Sequence, residues 1–220
     1  MSQAAAAAAA ATAAVISPAG RTPSAGPEAP PAARQGYAVE LYFDPALENQ
    51  VLKAWNVLAR RQISTQLIDI SSRPHITLFS APSVDPARLL PIVRSIAARL
   101  EPVPVSLSSI ASFPHAAASG GGGVLFLAPT PTAGLLGLHT QLCEALRKEG
   151  VEAAEEYRTD SWVPHCPVAE DVPRSRMAEA FCILRDLKLP VSGYAMDIGL
   201  VEFSPVSEIF SFPLGGDAEA

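Results

Sequence analysis

The chain has 220 residues, 49% hydrophobic and 17% charged, with a formal net charge of −6. That mix suits one or two domains with a packed core and excludes a collagen, a disulfide scaffold or a wholly disordered chain; no run of 18 apolar residues is present to suit a bilayer. The acidic balance and the lack of a dense Lys/Arg block argue against a long duplex, whose binding rests on replacing counterions with cationic side chains, and favour a small substrate or a strand end, away from membranes.

Residues 1–35 are Ala, Pro, Ser and Gly with few large apolar side chains. Such a segment cannot bury enough surface to offset its ordering entropy, so it is read as disordered. Its few acidic residues also allow a plastid transit peptide, but Arg21 and Arg34 are its only basic residues, which favours a cytoplasmic protein.

Folded sequence is expected over 36–214, with a short tail at 215–220. Tyr37 to Phe43 alternates and is rich in β-formers, so it reads as a strand. Asp44-Pro45 is an N-cap followed by a first-turn proline, and Leu47, Val51, Trp55 and Leu58 recur at helical spacing to about Arg61. Arg73 to Ser80 is a second strand. Asp85-Pro86 opens a second helix through Leu89, Ile92, Val93, Ile96 and Leu100, and Val103 to Phe113 is extended.

Gly120 to Gly123 make a flexible break, and then the order returns. Val124 to Ala128 is a strand. Thr130-Pro131 starts a helix with Leu135, Leu138, Leu142 and Leu146 on one face, closed by Lys148 and Gly150. Trp162 to Ala169 is extended. Pro173 opens a helix through Met177, Phe181 and Leu184, and Val191–Phe203 and Ile209–Phe212 are strands.

The chain is thus an internal repeat of strand, helix, strand, helix, strand. Each second strand carries a Pro-His, at Pro74-His75 and Pro164-His165. Short strands separated by helices suggest an α+β or α/β fold of two similar lobes, whose equivalent strands would bring both histidines to a cleft between them.

In a strand, residues two apart share a face. His75, Thr77 and Phe79 then point one way: an imidazole to move a proton, a hydroxyl to bond a phosphoryl oxygen and a ring to stack on a base. Arg73, just before them, is a candidate phosphate ligand. The second strand keeps His165 but has Pro167 where the first has Thr77. Ser161 or Arg158 could supply the lost donor. His115 reads as a solvated loop residue, His139 as a helix-boundary residue and Trp162 as core. Cys143, Cys166 and Cys182 are odd in number and lack metal or disulfide spacing, which points to a reduced compartment. Cys143 and Cys182 are expected to pack, and Cys166 to face away from His165, too far round the strand to be a nucleophile with it. No cofactor or metal is expected.

His75-Ile-Thr77-Leu and the partial match His165-Cys-Pro167-Val resemble the paired His-x-Thr/Ser-x motifs of the two-histidine phosphoesterase superfamily. This superfamily includes 2′-5′ RNA ligase-like and cyclic nucleotide phosphodiesterase proteins. The strands Tyr37–Phe43 and Val124–Ala128 are similar to its plant and bacterial ligase-like members, and the resemblance spans roughly 37–214.

The resemblance implies a metal-independent hydrolase of 2′,3′-cyclic or 1″,2″-cyclic phosphates on small nucleotides or RNA ends. It also implies an α+β, bilobal pseudo-twofold fold with two antiparallel-rich sheets and flanking helices around a central cleft, in which His75 and His165 would be acid and base and Thr77 would bind phosphate. A monomer is expected. Alternatives are a nucleotide-binding module whose catalysis decayed at Pro167, RNA 2′-5′ ligation at the same site, or a protein-interaction role for the Ala/Pro-rich segment.

Overall fold

The computed structural model describes residues 36–81, 84–114, 122–203 and 206–216; the Ala/Pro-rich segment, His115 and the last four residues lie outside them. Among the described residues are seven strands: β1 (Gly36–Phe43), β2 (His75–Ala81), β3 (Val103–Pro114), β4 (Gly123–Pro129), β5 (Cys166–Val172), β6 (Val191–Phe203) and β7 (Ser207–Pro213). Five helices accompany them: α1 (Pro45–Arg60), α2 (Gln66–Asp69), α3 (Pro86–Ala97), α4 (Ala133–Lys148) and α5 (Met177–Arg185).

The helices begin where local chemistry favours it. The Asp44 carboxylate accepts from the Ala46 and Leu47 N–H groups at 2.8 and 3.0 Å, satisfying donors a helix start leaves free. Its other oxygen accepts from the Tyr194 N–H of β6 at 2.6 Å, which ties α1 to the sheet. Thr132 caps α4 by accepting from Leu135 N–H at 3.3 Å, so α4 starts at Ala133, just after the expected Thr130-Pro131. Pro173 leads first into a 3-10 turn at Arg174–Arg176, and α5 follows at Met177.

The fold is α+β, one of the two classes that the alternation of strands and helices allows, and the strands form one antiparallel sheet in the order β2-β1-β6-β3-β4-β5, with β7 beside β6. This corrects the two-sheet expectation. The reason is an exchange of third strands. β3, from the first repeat, pairs with β4 of the second, and β6, from the second, pairs with β1 of the first. Residues Val103–Leu107 of β3 then pair with Val191–Ala195 of β6 and join the halves.

Val39, Leu41 and Phe43 of β1 form one core with Leu47, Val51 and Leu58 of α1 and with Leu135, Leu138 and Leu142 of α4. Ala38, Tyr42 and Val201 form a smaller cluster, separate from it. α1 packs on β5 as well as β1, and α4 packs on β2 as well as β3, so each helix spans both halves. β2 and β5, the ends of the strand order, come into contact with each other. Their meeting positions the site.

Candidate active site

His75 is the first residue of β2, and His165 directly precedes β5. The two imidazoles are held alike. His75 Nδ1 lies 2.6 Å from the Arg73 carbonyl, and His165 Nδ1 lies 2.8 Å from the Val163 carbonyl, each two residues earlier. A carbonyl can only accept, so each Nδ1 carries a proton and each neutral ring leaves Nε2 as its free acid/base nitrogen. Trp162–His165 lie outside the strand, which begins at Cys166 rather than at the expected Trp162.

The backbone behind each histidine is fixed by a tryptophan from the opposite half. Trp162 Nε1 donates to Thr77 O at 3.1 Å, and Trp55 Nε1 donates to Pro167 O at 3.0 Å; both bonds are buried. Trp162 is core, as expected. The equivalence of Thr77 and Pro167 therefore extends to their carbonyls, even though the hydroxyl is lost.

Around the rings the symmetry breaks. On β1, Tyr42 pairs with His75 and Glu40 with Thr77, which puts the Glu40 carboxylate 3.5 Å from His75 Nε2. On β4, Phe126 takes the place equivalent to Glu40, opposite Pro167. Phe126 and Phe113 stack at 4.4 Å between centroids, and both meet the His165 ring edge-on or tilted, at 5.4 and 5.0 Å. One histidine faces a carboxylate and the other an aromatic wall.

These settings shift titrations. Burial, with the His75 charge adding to it, pushes His165 down to about 4; the ring keeps intermediate exposure, so water offsets part of this. Burial raises Glu40, while His75 and a hydrogen bond from Tyr42 pull it back. Burial pushes Glu170 of β5 up to about 7 against the pull of His75, with Glu40 and Asp171 adding to the rise. Tyr157 is buried, its hydroxyl faces Thr77, and burial with Glu156, Glu40 and Glu170 raises it. Sequence reasoning missed Glu40, Tyr157, Glu170, Phe113 and Phe126 as site residues. Glu40 left a usable signal: a lone carboxylate inside the apolar strand Tyr37–Phe43.

Thr77 is buried beside His75 in the expected place. Phe79 is a correction: its ring is 0% exposed within the main core and cannot stack on a base. A bulge is the cause. Glu40 pairs with Thr77 and Val39 with Phe79, so Leu78 is an extra residue and the alternation flips after it. Arg73 is engaged rather than free: its guanidinium lies 3.0 Å from Glu48, 3.9 Å from Asp197 and 4.5 Å from the centre of the Tyr42 ring.

Ser161 turns to Asp160 at 3.5 Å, and Arg158 lies 4.0 Å from Glu152, both on the surface. His139 is not a boundary residue: it is buried, stacked on Trp162 at 3.9 Å, with Nε2 3.0 Å from Tyr157 O. Cys166 is fully buried against the His75 backbone and burial raises its thiol, which removes it as a nucleophile. Cys182, expected to pack, is exposed. Among the described residues, no group of three or more His, Cys, Asp and Glu gathers as a metal would need, and no helix is long and apolar enough to cross a membrane.

The strand-exchanged α+β sheet brings a His-x-Thr strand against a His-x-Pro strand, the arrangement of a two-histidine phosphoesterase with Pro167 departing from the second motif. The profile of the 2′-5′ RNA ligase superfamily matches residues 44–204, and the chain belongs to that family. TT0787 of Thermus thermophilus is similar in structure, with a TM-score of 0.55 at 14% identity over 82% of this chain and 98% of that one. E. coli LigT complexed with 3′-AMP gives 0.49 at 12% identity, over 83% and 99% of the two chains. Kluyveromyces marxianus Usb1 with uridine monophosphate gives 0.45 at 14%, over 82% and 98%. No curated protein sequence matches the chain.

Proposed function

We propose that the protein is a metal-independent phosphodiesterase that hydrolyses 2′,3′-cyclic or 1″,2″-cyclic phosphates on small nucleotides or RNA ends. The observation that carries this reading is the matched pair of imidazoles, each with Nδ1 committed to the carbonyl two residues before it and Nε2 left free. In-line attack of water on phosphorus needs one group to accept a proton and one to donate it. Two imidazoles, whose ordinary titration lies near neutrality, perform both tasks without a cofactor. Thr77 holds a phosphoryl oxygen, and its carbonyl is fixed by Trp162. A nucleotide-sized substrate is favoured over a tRNA-sized one by the net charge of −6 and by the pairing of Arg73 with Glu48.

The test is turnover of 2′,3′-cyclic nucleotides and ADP-ribose 1″,2″-cyclic phosphate in EDTA. Wild type is expected to turn over, and His75→Ala and His165→Ala each to lose at least about a hundredfold, the usual scale of acid/base catalysis. A folded wild type that binds these nucleotides without turning them over leaves a nucleotide-binding module instead.

A further inference from the structure

The two histidines differ in what surrounds them, and the difference assigns their roles. Glu40 and His75 form a buried pair, with side chains 6% and 9% exposed and Oε1 3.5 Å from Nε2. Water does not screen such a pair as it does a surface one. His75 Nδ1–H is already donated to Arg73 O, so a second proton on this ring sits on Nε2, facing the carboxylate. His165 has no carboxylate in that place. The equivalent position opposite Pro167 is Phe126, and Phe113 closes the ring from another side. An aromatic wall disfavours an imidazolium; a carboxylate favours it.

We propose that Glu40 is a positioning residue that keeps a proton on His75 Nε2, making His75 the general acid and His165 the general base. This rests on the phosphodiesterase reading above. The water oxygen bonds to phosphorus while its proton passes to His165 Nε2. The bond from phosphorus to the ribose oxygen breaks, and that oxygen takes the proton from His75 Nε2. The product is a phosphomonoester with a free ribose hydroxyl. His165 then releases its proton to solvent and His75 takes one up, which restores the starting state.

Other groups facing the pair fit this assignment. Tyr42 of β1 hydrogen-bonds to Glu40, and Glu208 of β7 raises its proton affinity further. Glu170 of β5 stands within the field of both Glu40 and His75. Arg73 lies two residues before His75, and its charge is taken up by Glu48 and Asp197. Two carboxyls, Glu40 and Glu170, act on one imidazole, and negative charge there favours its protonated form.

Two experiments test the assignment. The first compares a cyclic nucleotide with thymidine 3′-(p-nitrophenyl phosphate), whose p-nitrophenolate leaves without a proton. His75→Ala is expected to lose less than about tenfold on the aryl ester and at least about a hundredfold on the cyclic substrate, whereas His165→Ala loses the larger factor on both. The opposite pattern overturns the assignment.

The second is Glu40→Gln. Its alkaline limb in kcat/KM is expected to move about one pH unit toward acid, with the acid limb unmoved, and the His75 ring titration followed by NMR is expected to move the same way. A loss that is uniform across pH, with His75 titrating as in wild type, reduces Glu40 to a structural residue and overturns its role. If wild type turns over neither substrate, the phosphodiesterase reading fails, and the NMR titration still decides whether Glu40 holds the proton.

Discussion

At the scale of single residues the site is half complete as a phosphate cradle. Thr77 offers a hydroxyl on one side, and Pro167 offers none on the other, although Trp55 holds the Pro167 carbonyl where a threonine's would lie. Proline also lacks the backbone N–H. One charge-assisted hydrogen bond is worth about 1.5–3 kcal/mol, or roughly 10- to 150-fold in rate when it is made in the transition state. Thr77→Val is therefore expected to lower kcat/KM on a cyclic nucleotide by a factor in that range. Pro167→Thr is expected to raise it by a factor in the same range, with thermal stability held by the unchanged Trp55 bond. A folded Pro167→Thr with wild-type kcat/KM would show that the second hydroxyl has no part in the reaction. The His-x-Thr strand was legible because its residue types and spacing carry the chemistry directly. Glu40 was not recognised, because its meaning comes from a cross-strand register that appears only once β1 and β2 are paired.

At the scale of elements, strands and helices were legible from period and caps, and the errors sit where one residue breaks a period. Leu78 is the clearest case: a one-residue bulge sent Phe79 into the core, and nothing in His75-Ile-Thr-Leu-Phe79 announces it. His139 is another. On α4 it shares a face with Leu135 and Leu142, and only the arrival of Trp162 from a distant loop buries it. That burial has a consequence for stability. Loss of solvation holds the His139 imidazole down to about 4, from an ordinary 6.5, against the bond to Tyr157 O. The folded protein thus favours neutral His139, while the unfolded chain takes up a proton below about 6.5. Its contribution to stability is present above that pH and is lost as pH falls toward 4; His165, shifted the same way, adds to the slope. Melting temperature is expected to fall between pH 7 and pH 4.5, and less steeply in His139→Gln. Parallel slopes in the two proteins would remove His139 as a cause.

At the scale of the whole molecule, the repeat was visible in the sequence but its exchange of strands was not. Composition and period describe what each segment is, and they say nothing of which neighbour a strand chooses when two equivalent edges compete. The chain pairs β3 with β4 and β6 with β1, and then joins the halves through Val103–Leu107 and Val191–Ala195. Neither half can complete its sheet alone. Helices α1 and α4 each pack on strands of both halves, and each tryptophan donates across to the opposite histidine strand. Two repeats tied this way should lose structure together, because releasing either one removes an edge partner and a buried hydrogen bond from the other. The tryptophans report on this separately, since Trp55 lies on α1 of the first repeat and Trp162 precedes β5 of the second. In Trp55→Phe and Trp162→Phe, each left with one tryptophan, the fluorescence midpoint in urea is expected to coincide with the far-UV circular dichroism midpoint of the same variant. Each variant is expected to be destabilised by about 1–3 kcal/mol, the cost of a buried carbonyl left without its donor. Separate midpoints would mean that the lobes unfold independently, and that the exchanged strands order the topology without coupling the stability of the two histidines.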